Sequence, residues 1–475
     1  MSLVFTNTLS GRKEPFVPRV PGRVGLYWCG VTVYAPAHVG HARFLVVADV
    51  LYRWLRARGL AVEYVRNFTD IDDKIIRRAA EERITPAALA EREIAAFTAD
   101  VHGLGCLAPT EEPRATAHIP DMIVLIDRLV HDGFAYPVPG GSVYFRVRRF
   151  AEYGKLSHRR LDDMEVGDEI DPGKEDARDF AVWKGSKPGE PTWDSPWGPG
   201  RPGWHIECSA MAMRYLGPTF DIHGGGSDLV FPHHENEIAQ SEASTRQQFA
   251  NLWVHNGMIT FGADKMSKSL GNVLAIRDAL AHAPGEALRL LFLGTHYRAP
   301  LDFSLARLDE NLKALTRLYE ALARADEAGA APAVSVDGAF AAPSSPFLDA
   351  FATAMDDDLN AAKAMGLAFD RVRDLNRALD AGDARGASAI REELARVAAA
   401  TGVMTETPAA FLDALRARGQ TRAGLTTDEI EAAIAERNAA RGRKDFKAAD
   451  AIRKRLSDQG ILLEDTPSGT LWKAG

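Results

Sequence analysis

Cysteine is scarce: Cys29, Cys106 and Cys208 are the only three in 475 residues. Thiols so few and so far apart exclude a disulfide framework and point to a reducing cytosol. Long apolar runs are missing too. No stretch approaches the roughly 18 residues that a membrane span needs, and the start through Asn7 and Thr8 lacks the apolar centre of a secretory signal. Excess positive charge is also absent. A net charge of −8 argues against a generic nucleic-acid coat, while leaving room for a local basic surface. What is present is a globular mixture, 46% hydrophobic and 26% charged. Its length suggests about three domains.

The stretch at residues 29–41, CGVTVYAPAHVGH, organises the chain. Val24, Leu26, Tyr27 and Trp28 form an apolar, strand-like run that Val31, Val33 and Tyr34 continue. Ala35-Pro36-Ala37 breaks it, and His38-Val39-Gly40-His41 leads into a helical pattern to about Arg58. A helix start suits phosphate, because its unpaired N–H groups point outward and its dipole favours an anion. Gly40 admits close backbone approach, and His38 and His41 add donors for charge developing on a transferring phosphoryl group. Alone, the pattern also fits a turn with two incidental histidines. Residues 62–67 alternate as a strand leading to Thr69 and Asp70. Strand, helix and strand read as a right-handed βαβ unit, with ligands at the strands' carboxyl ends. Thr69 and Asp70 then share a rim with His38 and His41, whereas Asp72 and Asp73 read as acids enriched at a helix start.

Residues 75–135 read as helices punctuated by Pro86 and Pro120, with Cys106 a small buried hydrophobe. From Tyr136 to about Pro202 a Gly140-Gly141 turn and repeated prolines mark an insertion between two halves of a nucleotide-binding sheet. The second half opens on residues 203–211, GWHIECSAM, and runs through Phe220-Asp221-Ile222-His223 into Gly224-Gly225-Gly226-Ser227-Asp228. The triple glycine is either a flexible turn or a close backbone approach to a nucleotide. Residues 252–259 make another buried strand candidate. Lys265-Met266-Ser267-Lys268-Ser269 follows between Gly262 and Gly271. It is either a solvated loop or a mobile clamp that closes on triphosphate oxygens.

Leu305, Leu308, Leu312, Leu315, Leu318 and Leu322 recur as the stripe of a bundle helix. Residues 327–346 read as a loop within that bundle, and residues 347–379 and 387–403 as further helices. A second boundary falls near residues 416–424. Thr426 with Glu429 forms a capping box opening a helix through about Arg441. Arg437, Arg441, Arg443, Lys444, Lys447, Arg453, Lys454 and Arg455 then crowd together, with Phe446 among them. This is either an RNA-binding surface with an aromatic to stack on or a solvated helix pair. Residues 461–463 and 470–472 read as a closing hairpin.

His233 and Glu237, four residues apart on an expected helix, share a face. With Cys29 and Cys208 they make a donor set of two thiolates, an imidazole and a carboxylate that suits zinc. The spacing is too dispersed for a compact zinc ribbon. His234 has no second ligand on its face and reads as a residue behind the ligands or facing substrate.

With these residues laid out, the chain closely resembles the cysteinyl-tRNA synthetases of the class I aminoacyl-tRNA synthetases. His38-Val39-Gly40-His41 and Lys265-Met266-Ser267-Lys268-Ser269 are similar to the two signatures of that class. Residues 67–74, 203–211, 231–237 and 354–358 resemble stretches particular to the cysteine enzymes, and the likeness runs from about Thr8 to Trp472. The resemblance implies an α/β protein. A Rossmann-type parallel-sheet catalytic domain spans about 1–300, with a connective insertion at about 105–202. A tRNA-binding helical bundle at 301–415 and a small α/β anticodon-binding domain at 416–475 follow.

It also implies an enzyme of two steps, with ATP and Mg²⁺ activating cysteine to cysteinyl-adenylate before transfer to tRNA(Cys). Cys29, Cys208, His233 and Glu237 would bind one zinc ion, and Thr69 and Trp204 would line the cysteine pocket. Gly40, His38, His41, Asp228 and Lys268 would face ATP. Catalysis would fall to His38 and His41 at the α-phosphate, and to Lys265 and Lys268 at the leaving pyrophosphate. Arg437, Arg441, Arg443, Lys444, Phe446 and Arg453 would meet tRNA, with Phe446 where some relatives carry Trp. The expected state is a cytoplasmic monomer, free of membrane. Two alternatives stay open: a ligase joining cysteine to an amino sugar by the same adenylate chemistry, and a non-catalytic tRNA-binding paralogue.

Overall fold

The computed structural model describes residues 3–164, 173–262, 264–265, 274–327, 335–342, 345–466 and 469–474. Four parallel strands carry the site. In spatial order they are Ala250–Asn256, Phe220–Gly226, Arg23–Thr32 and Ala61–Thr69. Leu26, Tyr27, Trp28 and Cys29 are all buried, so consecutive residues on both faces are covered, as a central parallel strand requires. The helix Val39–Ala57 follows, buried over nearly all of its length. Strand order reverses beside Arg23–Thr32, which places a topological switch point at the carboxyl ends of that strand and Phe220–Gly226.

Close backbone packing shapes the strands locally. The pairing of Arg23–Thr32 with Ala61–Thr69 is irregular between Trp28 and Val31, where Gly30 sits. A Cβ on Gly30 would lie 1.6 Å from the Asn67 carbonyl oxygen, so only glycine fits. The triple glycine is not a flexible turn: Gly224, Gly225 and Gly226 are strand residues, and Gly226 ends the strand on the cavity lining. A Cβ on Gly224 would come within 2.2 Å of the Trp28 ring, so this glycine answers to an aromatic neighbour.

Arg43, on the same helix as Gly40, cross-links two segments behind the switch point. It is buried and donates to the carbonyls of Gly257, Met258, His296, Tyr297 and Ala299 at 2.6–3.4 Å. The insertion forms a four-stranded antiparallel sheet of Ala135–Pro137, Val143–Phe145, Phe180–Gly185 and Gly200–Pro202. Gly140 and Gly141 turn the first hairpin with positive φ.

The chain forms two compact units, one of Met1–Lys313, Pro332–Arg373 and Glu392–Val403, the other of Ala314–Ala331, Asp374–Arg391 and Met404–Gly475. Long helices Leu305–Glu327, Pro346–Asp356, Ala361–Asp380 and Ala384–Thr401 follow the catalytic sheet in the chain. In the second unit a continuous helix, Pro408–Ala423, runs through most of the stretch expected to be a boundary, and the chain turns at Gly424 in the left-handed region. The helices Thr427–Gly442 and Phe446–Asp458 and the hairpin Ile461–Thr466 with Gly469–Ala474 complete it. The Thr426–Glu429 capping box is formed. Ile430, Ile434, Ile452, Leu456, Ile461 and Leu463 make the small core. Among the described residues no helix is long and apolar enough to cross a membrane.

Candidate active site

A cavity of about 420 Å³ opens at the switch point, with Thr32, Tyr34, His38, Gly40 and His41 among its lining. Trp204, Gly226 and Asp228 also line it, as does Cys29. His38 is the N-cap of Val39–Ala57; its backbone N–H donates to His41 Nδ1 at 3.2 Å, and the two rings stack at 3.7 Å. The sequence-expected histidines thus lie together at a helix start on the cavity wall. Asp228 stands just beyond the strand Phe220–Gly226. Trp204 begins the helix Trp204–Leu216 and stacks on His233 at 4.2 Å. Thr69 ends its strand paired with Thr32, is buried, and is not itself on the cavity lining. Its hydroxyl donates to Glu207 Oε2 at 2.9 Å. Lys265 lies on the short strand Asp264–Lys265 beside Ile259–Phe261, and Ile259 lines the cavity. Lys268, with Met266, Ser267 and Ser269, lies outside the described residues.

The four donors expected for a metal converge from three elements. Cys29 comes from the first strand, Cys208 from the helix Trp204–Leu216, and His233 and Glu237 from the turn and helix around residue 235. Their ligand atoms all lie within 4.8 Å of one another and all four residues are buried. Cys29 Sγ is 3.7 Å from Cys208 Sγ and 3.3 Å from Glu237 Oε1, while His233 Nε2 is 3.0 Å from the same oxygen. Hydrogen bonding with Cys29 pulls the Cys208 thiol down to about 6. Burial, then Cys208 and Glu237, push Cys29 well up. Burial alone would lower His233, but Glu237 and Cys208 outweigh it and hold the imidazolium up to about 10. Burial would raise Glu237, yet His223 and His233 keep it well below the carboxylate range. Two buried thiols, an imidazole and a carboxylate at these spacings fit a borderline-soft divalent cation such as zinc.

Sequence reasoning placed His234 behind this set but missed His205, His223 and His255 around it. His223 Nε2 lies 2.8 Å from Glu237 Oε2, His205 Nδ1 lies 2.9 Å from His233 Nδ1, and His234 Nε2 lies 3.3 Å from Cys29 Sγ. His234 Nδ1 meets His255 Nε2 at 2.7 Å, and His255 Nδ1 meets Thr8 Oγ1 at 2.8 Å. A second group of donors, Cys29, His223, His234 and Glu237, therefore overlaps the first. His234 does reach the donor set, most closely through Cys29 on the sheet rather than through a residue on its own helix. One signal was available: His205 stands three residues before Cys208, on the same helical face.

The residues expected at an RNA surface divide. Arg437 faces inward, buried and paired with Asp465 at 2.7 Å, because it ties its helix to the hairpin. Arg441 also reaches Asp465, at 2.9 Å, but is exposed. Arg443, Lys444, Lys447 and Arg453 are exposed, and Phe446, the first residue of its helix, is 61% exposed.

The sheet, its switch-point cavity and the histidine-bearing helix start are those of a class I synthetase. A family model described as "tRNA synthetases class I (C) catalytic domain" matches residues 15–313, and one described as "DALR domain" matches residues 350–405. Methionyl-tRNA synthetase of Mycobacterium tuberculosis shares the fold, with a TM-score of 0.60 at 17% identity over 86% of this chain and 94% of that one. A LeuRS–tRNA–LeuAMS complex from Agrobacterium radiobacter gives 0.59 at 12%, over 83% and 86% of the two chains. Curated relatives are far more similar: "Cysteine--tRNA ligase" of Geobacter sulfurreducens is 52% identical and that of Geobacter metallireducens 51%, each over the whole of both chains. The ligase of the same name from Thioalkalivibrio sulfidiphilus is 50% identical over 99% of both. The chain belongs to the cysteine–tRNA ligase family.

Proposed function

We propose that this ligase selects cysteine by its sulfur, through one zinc ion held by Cys29, Cys208, His233 and Glu237. The reaction is that of an ATP-dependent aminoacyl-tRNA ligase. The cysteine carboxylate attacks the α-phosphate of ATP to give cysteinyl-adenylate and pyrophosphate, and the acyl group then passes to the 3′ end of tRNA(Cys). His38 and His41 donate to the α-phosphate, and Gly40 lets it approach the helix start. Asp228 faces ATP, which carries Mg²⁺, and Lys265 and Lys268 take the leaving pyrophosphate. Trp204 walls the amino acid, with Thr69 held behind by Glu207. Residues 1–300 carry the chemistry. The bundle at 301–415 and the domain at 416–475 grip tRNA, the latter through Arg441, Arg443, Lys444, Phe446 and Arg453, with Arg437 supporting that surface from within. The enzyme works as a cytoplasmic monomer. Full-length likeness to ligases supports neither the amino-sugar enzyme nor the non-catalytic paralogue.

The observation that carries the zinc reading is the convergence of four buried donor atoms within 4.8 Å, one of them on Cys29 at the cavity wall. Serine is nearly the shape of cysteine and slightly smaller, so exclusion by size fails. When bound, zinc supplies a Lewis-acid centre that takes sulfur as thiolate, whereas a serine hydroxyl stays protonated near neutral pH. A site built on one polar handle reaches a discrimination of roughly 10⁴ to 10⁵ without editing. The set with two thiolates is favoured over the overlapping histidine set because soft ligands hold zinc more strongly. The test is pyrophosphate exchange with cysteine, serine and α-aminobutyrate, with metal content measured on the same samples. Cys208→Ser should lose zinc and narrow the preference for cysteine, while His234→Ala retains the ion. The reverse pattern would move the ion to the histidine set. Metal-free wild type preferring cysteine by about four orders of magnitude would end the zinc role.

A further inference from the structure

The cavity must receive a carboxylate and a triphosphate, yet its described wall holds little positive charge. Among the described lining residues Lys74 is the only lysine or arginine, and Asp228 the only acid. Lys74 is the second residue of the helix Asp73–Glu82, whose N-cap Asp72 accepts the Lys74 N–H at 2.8 Å. A lysine in the first turn stands at the positive end of the helix dipole, where a cation is disfavoured. A local rule broken at a cavity wall is a mark of function.

The surroundings fix where this cation points. Asp73 pairs with both Lys184 and the buried Arg201, from the insertion's sheet, and Arg201 also holds Glu190 at 3.1 Å. The two neighbouring cations are thereby spent on Asp73. Lys74 instead places its ammonium 5.5 Å above the Tyr34 ring, which lines the cavity. Arg201 stands three residues before Trp204, itself stacked on His233. Lys74 therefore shares the cavity wall with Tyr34, Trp204 and Cys29, where the amino acid must sit beside the nucleotide.

We propose that Lys74 binds the α-carboxylate of the cysteine substrate. It orients that carboxylate for attack on the α-phosphate and screens the repulsion between the two anions. This rests on the ligase reading above and adds the residue that holds the attacking group. The lysine is exposed, so its replacement leaves the packing intact.

The experiment is ATP–pyrophosphate exchange by the full chain, with wild type as the control for the ligase reading itself. Wild type that fails to exchange with cysteine would overturn that reading and this proposal together. With wild type active, Lys74→Gln should lower kcat/KM for cysteine by about a hundredfold, with KM for ATP changed by no more than about twofold. Lys74→Arg, which keeps the charge, should recover to within about tenfold of wild type. Cysteamine has the thiol and amine of cysteine without its carboxylate, so it should inhibit wild type and Lys74→Gln equally. Exchange kinetics unchanged in Lys74→Gln would overturn the proposal. So would a loss confined to transfer onto tRNA, which would assign the cation to the tRNA end. Cysteamine inhibition that weakens in step with cysteine use would overturn it as well.

Discussion

Asp49 is buried on the helix Val39–Ala57 and pairs with Arg53 at 2.7 Å and Arg289 at 2.5 Å, while accepting the Leu107 N–H at 2.7 Å. Burial alone would raise its carboxyl, but Arg289 and Arg53 outweigh burial and hold it below the ordinary range. Arg289 is itself buried and has Asp49 as its carboxylate partner among the described residues. Removing the acid leaves a guanidinium uncompensated, so Asp49→Asn should cost about 3 to 5 kcal/mol in urea unfolding. Because the folded carboxyl titrates below its unfolded value near 4, its contribution is complete above that pH and is lost as pH falls through the folded value. The deficit of Asp49→Asn against wild type should therefore be constant from about pH 5 upward and shrink in more acid solution. A deficit that grows on acidification would mean that Asp49 is not the stabilising anion.

The strand Arg23–Thr32 depends on Gly30 for its pairing with Ala61–Thr69. Gly30→Ala drives a methyl into the Asn67 carbonyl and should destabilise by more than about 3 kcal/mol, with the Gly30 N–H to Asn67 Oδ1 bond of 2.9 Å broken. Normal unfolding of that variant, with exchange activity intact, would show that the strand can bend away. The strand and the helix after it were legible in the sequence, because a strand buried on both faces is a continuous apolar run and a helix start is punctuated by Pro36 and Gly40. So was the Thr426–Glu429 capping box, whose partners are three residues apart. The strand character of the triple glycine was not, because what crowds Gly224 is Trp28, on the neighbouring strand. The helix Pro408–Ala423 was not legible where a boundary was expected near residues 416–424, since the contact that packs it, Phe411 on Tyr319 at 3.8 Å, joins residues far apart in the chain. The four-donor set could be assembled from residue chemistry, and His234 placed behind it, whereas His205, His223 and His255 could not. Contacts such as His234 to His255 are set by the order of strands, which no local pattern states.

The whole molecule is acidic, with a net charge of −8, so any surface for a polyanion must be a local exception. The exposed run at Arg443, Lys444 and Lys447, beside exposed Phe446, is one such exception. Changing the three cations together to Gln should lower kcat/KM for tRNA charging at least about tenfold. It should also flatten the salt dependence of tRNA binding by up to about 3 in log–log slope. Exchange with cysteine should be untouched. A salt slope equal to that of wild type would remove these cations from the tRNA interface. The catalytic sheet has a different long-range property: Cys29 and Glu237 are 208 positions apart in the chain and 3.3 Å apart in space. A ribosome adding roughly 5 to 20 residues per second makes the second of them about 10 to 40 s after the first. For most of that interval the strand Arg23–Thr32 has been made while its neighbour Phe220–Gly226 does not yet exist. The Cys29 thiol therefore waits through much of the chain's synthesis without Cys208, His234 and Glu237, the partners that surround it in the fold. The cluster at Cys29 is completed only after the insertion has already been made.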